Sequence, residues 1–247
     1  MTQETGQQLP LSLSSSTPSY QKSDFFVSHC NKMAYEWIDS WPDWPDQTRM
    51  LNIFGPQGCG KTHLSHMIDP RKRLDIELTG ETPFASALTF LFDHQQENGS
   101  EKCFVMEADE QGLQAYTEDC FHFINQLKAT AHSALILSHT PVAQMDTGLP
   151  DLNSRLRAMA AQGIETPDDG LIAEILMKQA ADIQLLLPRH VAEYIVTHSE
   201  RSFAAIEQTV KQLNDMALSQ KKPATLALAR QLIASQSSAD RTDQLFS

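Results

Sequence analysis

The chain has 247 residues, carries 19 Lys+Arg against 31 Asp+Glu for a net charge of −12, and is 41% hydrophobic. That apolar fraction excludes wholesale disorder, and the length suits one large domain or two modest ones. The charge excludes a broadly basic surface that would bind nucleic acid through its phosphates, and it disfavours anionic membrane, though a small basic patch stays open.

Residues 1–22 are rich in Gln, Ser, Thr and Pro around one apolar island, and read as an extended tail without the pattern of a signal peptide. Apolar spacing predicts a helix over 31–40, and Trp41-Pro42-Asp43-Trp44-Pro45-Asp46 then forms a rigid turn. The apolar run 50–54 predicts a buried parallel strand, followed by a helix from Gly60 to about Ile68. An edge strand is expected at 74–78 and a helix over 84–96. A second buried strand over 103–106 precedes an acidic cluster, a helix covers 118–130, and a third buried strand covers 134–137. Strands alternating with helices make this an α/β domain with a parallel sheet. From Asp168 four helical patterns follow without a strand, at 171–178, 190–199, 203–218 and 224–235. The expected division is a tail at 1–22, an α/β nucleotide domain at 23–165, a helical lid at 166–236 and a disordered end at 237–247. Cys30, Cys59, Cys103 and Cys120 form no C-x-x-C pair, which excludes a zinc site or small disulfide framework and suggests a reducing, cytoplasmic setting. No apolar run reaches the roughly 18–20 residues of a membrane span.

Gly55-Pro56-Gln57-Gly58-Cys59-Gly60-Lys61-Thr62 fits G-x-x-x-x-G-K-[ST] between a strand and a helix. Such a loop turns backbone N–H groups inward and holds phosphate oxygens without a dedicated charged pocket. Lys61 would meet the β/γ-phosphates, and Thr62 would ligate Mg²⁺. Glu107 directly follows the second buried strand and is the first choice for the metal-side acid, the Walker B role. Asp109 could substitute only if the strand ends one residue later. Between them, where many ATPases keep a water-activating carboxylate, stands Ala108. Ser138 ends the third buried strand, either facing the γ-phosphate as a sensor or as a plain strand end. His63 and His66 share an i, i+3 spacing but no adjacent acid, so they suit packing better than metal.

Beyond the P-loop, three segments carry a resemblance over roughly 8–235. They are Gln8-Leu9-Pro10-Leu11-Ser12-Leu13, Leu149-Pro150-Asp151-Leu152-Asn153-Ser154-Arg155-Leu156-Arg157, and Glu200-Arg201-Ser202-Phe203-Ala204-Ala205-Ile206-Glu207. The chain resembles the AAA+ module of the bacterial initiator DnaA, and more closely its shortened Hda-like relatives of the alphaproteobacterial type. The resemblance implies an AAA+ parallel-sheet domain with an all-helical lid. It implies a peptide at Gln8, Leu9, Pro10, Leu11, Ser12 and Leu13 for the DNA-polymerase sliding clamp, with Pro10 lowering the ordering cost. It makes Arg155 an arginine finger acting in trans on ATP held by DnaA, with Arg157 as the alternative. Phe26 and Val27 would line the adenine pocket. The nucleotide set is then Phe26, Val27, Gly55, Pro56, Gln57, Gly58, Cys59, Gly60, Lys61, Thr62, His63 and Arg201.

In this alignment Ala204 occupies the place of the lid arginine that senses nucleotide in related proteins, with Arg201 close by. Together with Ala108, that implies ADP, or ATP, with Mg²⁺ held as a structural element. The implied role is negative regulation of replication initiation through DnaA and the clamp. Homo-oligomerisation stays open, and no direct DNA binding is expected, since the length leaves no room for a helix-turn-helix domain. The rivals are an autonomous ATPase of helicase-loader type, a small-metabolite kinase, and a scaffold with a vestigial P-loop.

Overall fold

Five short strands pair in parallel: β1 (Met50–Phe54), β2 (Arg73–Ile76), β3 (Cys103–Glu107), β4 (Ser133–Ser138) and β5 (Ala160–Gly163). Their order across the sheet is β2-β3-β4-β1-β5. The computed structural model describes residues 25–44, 49–94, 101–199, 202–220 and 222–243. The central strands β3, β4 and β1 are buried on both faces, which is why their sequences are nearly unbroken apolar runs. Successive side chains alternate between two cores. Phe104, Met106, Ala134 and Ile136 face one with Phe84, Phe123 and Leu156, while Val105, Leu135, Leu137, Leu51 and Ile53 face the other with Ala34, Ile38 and Leu64.

Helices α1 (Lys32–Asp39) and α2 (Lys61–Ser65) cover the second face. Helices α3 (Ala85–Asp93), α4 (Glu110–Ala115), α5 (Thr117–Lys128) and α6 (Pro150–Arg157) cover the first. Helix α2 is shorter than the sequence suggests: it closes at Ser65, whose Oγ donates to the Thr62 carbonyl, and a turn leads to Asp69-Pro70. The edge strand β5 was not expected, because Ala160-Ala161-Gln162-Gly163 lacks any β-branched or aromatic residue. Pairing with β1 makes it a strand.

Helices α7 (Asp169–Asp182), α8 (Arg189–His198), α9 (Phe203–Gln220) and α10 (Leu226–Asp243) bury a third core around Leu176, Ile195, Ile206, Leu213 and Ala229. Asp168 starts α7, its carboxylate accepting from the Leu171 N–H at 2.7 Å. Helix α10 runs from Leu226 through Asp243, a stretch that holds no Gly or Pro to stop it. Residues 25–31 join the two units. Cys30 is buried in the helical core and Phe26 packs against it, while the Cys30 carbonyl accepts from the Glu165 N–H at 3.0 Å. On the other side, the Phe25 ring stacks on Tyr35 and meets His63 edge-on at 5.3 Å. Among the described residues, no helix is long and apolar enough to cross a membrane.

Candidate functional site

Parallel pairing brings the C-terminal ends of β1, β3 and β4 to one edge of the sheet. Phe54 lies beside Ser138, and Glu107 beside Leu137. The chain leaves β1 through Gly55, whose N–H donates to the Ser138 carbonyl at 3.1 Å. It then turns through Gly58 at φ 71° and Gly60 at φ 97°, left-handed positions that glycine alone takes without strain. Gly60 delivers the backbone into α2, whose first residue is Lys61. The Lys61 ammonium folds over the loop and donates to the carbonyls of Gly55 at 2.8 Å and Pro56 at 2.9 Å. Cys59 is buried beneath it, its Sγ 3.9 Å from Nζ. Burial pushes the Cys59 thiol up against the opposing pull of the Lys61 charge, so it packs as a neutral group.

The Thr62 hydroxyl donates to Glu107 Oε1 at 2.8 Å, bridging the P-loop helix to the end of β3. These are hard oxygen donors of the kind Mg²⁺ prefers. Among the described residues there is no cluster of three or more His, Cys, Asp or Glu able to hold a metal. A metal here therefore needs phosphate oxygens as well as Thr62 and Glu107, as in other P-loop sites. Asp109 does not substitute for Glu107. Strand β3 ends at Glu107, and Asp109 instead caps α4, accepting from the Gly112 N–H at 2.7 Å. Ala108 between them is buried and its N–H is tied to the Leu137 carbonyl.

Ser138 is committed on two sides: its Oγ donates to the Thr140 carbonyl at 2.6 Å and accepts from Asn52 Nδ2 at 2.9 Å. Asn52 was not singled out by sequence, although a polar residue in the run Met-Leu-Asn-Ile-Phe is a visible anomaly. It is fully buried and also donates to the Ile136 carbonyl and accepts from the Val142 N–H. It pins β1, β4 and the 3-10 turn Val142–Gln144 together beside the loop.

The lid reaches the loop at Ser202. A Cβ built on Gly58 would lie 2.7 Å from Ser202 Cβ, so loop and lid touch there. Arg201 and the clamp-type peptide Gln8–Leu13 lie outside the described residues. Phe26 packs against the lid core, with Lys178 Nζ 5.1 Å from its ring centre, and Val27 is half exposed. His63 lies one residue beyond Thr62 on α2, against Phe25.

Arg155 stands in the last turn of α6, away from the P-loop, on a helix that packs against α5 and the 3-10 turn. Its guanidinium lies 4.8 Å from the centre of the Phe121 ring on α5. The loop before α6 is tightly bonded. Asp146 Oδ1 accepts from the Gly148 N–H at 3.0 Å and from Asn153 Nδ2 at 2.8 Å, and Asn153 Oδ1 accepts from Thr147. The Gly148 N–H, Asn153 and the charge of Arg157 hold the Asp146 carboxyl below the usual carboxylate range. Gln114 and Glu110 on α4 tie the Asp146 backbone to the segment that follows Glu107.

Sheet order, P-loop, Glu107 and the four-helix lid define an AAA+ fold. Domain III of DnaA from Thermotoga maritima superposes with a TM-score of 0.69 at 19% identity, over 89% of this chain and 97% of that one. AMPPCP-bound DnaA from Aquifex aeolicus gives 0.63 at 19% identity, over 80% of this chain and 66% of that one. In sequence, the DnaA initiator of Symbiobacterium thermophilum is 28% identical over 235 residues, 87% of this chain and 50% of the relative. The family model described as the Hda lid domain matches residues 168–233. In sequence and fold the chain is thus similar to DnaA, and over its lid to Hda-type proteins. It spans about half the length of the curated relatives it matches.

Proposed function

We propose that this protein is a regulator of replication initiation that binds an adenine nucleotide, chiefly ADP with Mg²⁺, and presents Arg155 to ATP held by DnaA. The observation that carries the reading is Arg155 itself. It is partly exposed at the end of α6, which packs on the opposite face of the sheet from the P-loop helix α2, and this supports a role toward a nucleotide held by another molecule. The Hda lid match and the DnaA relatives support DnaA as that other molecule.

In the chain's own site, Lys61 would exchange its two carbonyl partners for β-phosphate oxygens, and the backbone of 55–60 would supply further N–H donors. Thr62 and Glu107 would hold Mg²⁺, which neutralises phosphate charge when bound. The AMPPCP-bound DnaA neighbour supports a nucleotide in this place. With Ala108 where a water-activating carboxylate would stand, turnover by this chain alone would be slow and the nucleotide would act as a structural element. In trans, the planar Arg155 guanidinium would donate to the γ-phosphate oxygens and stabilise charge as the bond breaks, an effect worth about 10³–10⁵ in rate. Gln8–Leu13 would tether the protein to the sliding clamp, concentrating Arg155 near DnaA in the cytoplasm.

The test is hydrolysis of DnaA-bound ATP in the presence of loaded clamp. Arg155→Ala should abolish the stimulation while nucleotide binding stays intact; full stimulation by that variant refutes the finger. Deletion of residues 1–14 should abolish capture by the clamp and leave ADP binding unchanged, whereas unchanged capture refutes the tether. Appreciable turnover by the purified protein, lost in Lys61→Ala, would replace the adaptor reading with an autonomous ATPase.

A further inference from the structure

We propose that the edge of the sheet opposite the P-loop binds the phosphate backbone of duplex DNA without reading its sequence. A parallel sheet gathers all its strand starts along one edge. The residues leading into the strands here are Lys72 before β2, Lys102 before β3, His132 before β4 and Arg49 before β1. Ladder bonds tie them together: the Cys103 N–H donates to the Lys72 carbonyl at 2.8 Å, the Ser133 N–H to the Lys102 carbonyl at 2.9 Å, and the Ala134 N–H to the Arg49 carbonyl at 2.7 Å. Neighbouring strands lie about 4.8 Å apart, so Lys72, Lys102 and Arg49 span about 14 Å of edge. Glu107, at the other end of β3, lies about 16 Å along the strand from Lys102.

Asp69 pairs with Arg71 at 3.1 Å and Asp75 with Arg73 at 2.6 Å, so those two carboxylates are taken. Among the described residues, no carboxylate lies within ion-pair distance of Arg49, Lys72 or Lys102. Arg49 Nη1 donates instead to the Ala131 carbonyl at 2.7 Å, Lys102 Nζ to the Arg71 carbonyl at 2.6 Å, and Lys72 Nζ lies 5.4 Å from the centre of the Trp41 ring. Such contacts steer a cation without cancelling its charge. Asp39, Asp93 and Glu101 border the row and weaken its field, while Lys128, closing α5 before the turn into β4, adds to it. In a chain of net charge −12, three cations left unpaired in a row take their counter-charge from outside. Duplex DNA supplies one negative charge per about 1.7 Å of axis, with condensed counterions that a cation row releases on contact. An acidic peptide, at about 3.3 Å per residue, is half as dense. A protein partner would also want an apolar anchor at the centre of the contact, and between Lys102 and Arg49 stands only His132, which is buried. The net charge excludes a broadly basic surface, and a row of this size is compatible with it.

The experiment is fluorescence anisotropy of a labelled duplex titrated with the full chain, from about 50 to about 200 mM salt. Three phosphate contacts give a log–log slope of about −2.7, so affinity should fall about 40-fold over that range. The combined variant Arg49→Gln, Lys72→Gln, Lys102→Gln should lose most of that slope, each substitution alone taking about 0.9 of it, while circular dichroism stays that of the unmodified protein. A control carrying Lys32→Gln, Lys211→Gln and Lys222→Gln changes the net charge equally at exposed sites elsewhere, and should keep the full slope. Two duplexes of unrelated sequence should bind alike, and polyglutamate should bind at least about tenfold more weakly than either. No duplex binding by the folded protein at the lowest salt, an unchanged slope in the edge variant, or an equal loss in the control each overturns the proposal. A sequence preference above about tenfold overturns it as well, and polyglutamate bound as tightly as the duplex assigns the edge to an acidic protein instead. The assay contains neither DnaA nor clamp, so its outcome is separate from that of the Arg155 test.

Discussion

Gly58→Ala separates two physical demands that meet at one atom. Gly58 sits at φ 71°, where a residue with a Cβ pays about 1–2 kcal/mol. The new methyl would also lie 2.7 Å from Ser202 Cβ and 3.3 Å from its Oγ. Neither contact is with the far end of a flexible side chain: Ser202 is 6% exposed and its Oγ accepts from the Ala205 N–H at 3.1 Å at the start of α9. Relief requires the loop or the lid to shift, and overpacking of this kind costs about 1–3 kcal/mol. The combined loss is on the order of 2–5 kcal/mol, and at about 2–4 °C per kcal/mol the melting temperature should fall by on the order of ten degrees. Ser202→Gly provides the control. Alone it should cost only a few tenths of a kcal/mol, since glycine caps a helix nearly as well as serine. In the Gly58→Ala background it removes the colliding atom, so it should recover the overpacking share and leave the backbone share. Thermal unfolding of the four proteins, followed by circular dichroism, completes the cycle. If Ser202→Gly recovers nothing in that background, the lid does not rest on the loop.

Asn52→Ala should destabilise the fold by about 1–3 kcal/mol, because the Ser138 hydroxyl, the Ile136 carbonyl and the Val142 N–H each lose a buried partner. A denaturant midpoint unchanged at constant slope would contradict this. Stability should also fall on mild acidification because of His132, which is 1% exposed, accepts from the Lys102 N–H at Nδ1 and has no partner for Nε2 among the described residues. Burial first, then the charges of His94, Lys102 and Arg49, hold its folded pKa below the ordinary histidine range. The unfolded chain therefore binds the proton more readily, so stability present above the unfolded pKa drains away as pH falls toward the lowered folded value. His132→Asn, whose Oδ1 can replace Nδ1 as acceptor, should flatten the melting temperature between pH 7 and pH 5 (about the range where histidine titrates); an equally steep profile in the variant would assign that slope to other groups.

What was legible in this sequence, and what was not, divides by how far the deciding partner lies along the chain. The β1, β3 and β4 strands and the P-loop were legible because burial on both faces and the phosphate loop each impose their pattern on consecutive residues. Glu107 and Asp109 stand two apart in one acidic run, and only the end of β3 and the cap of α4 assign one to Thr62 and the other to a helix. Strand β5 has no local signal because its partner β1 supplies the structure. Phe26 is apolar and packs against the lid core, a long-range contact that no local pattern records. The same holds for Arg155. Sequence pattern marks it as a candidate finger, while the ring beside it belongs to another helix and the loop that fixes its backbone is tied to α4. Since α4 begins within three residues of Glu107, the helix bearing Arg155 is bonded to the neighbourhood of the chain's own phosphate site. A nucleotide held in the P-loop, as proposed above, would then stabilise the segment that leads into the helix bearing Arg155, and that would give a retained nucleotide a physical purpose.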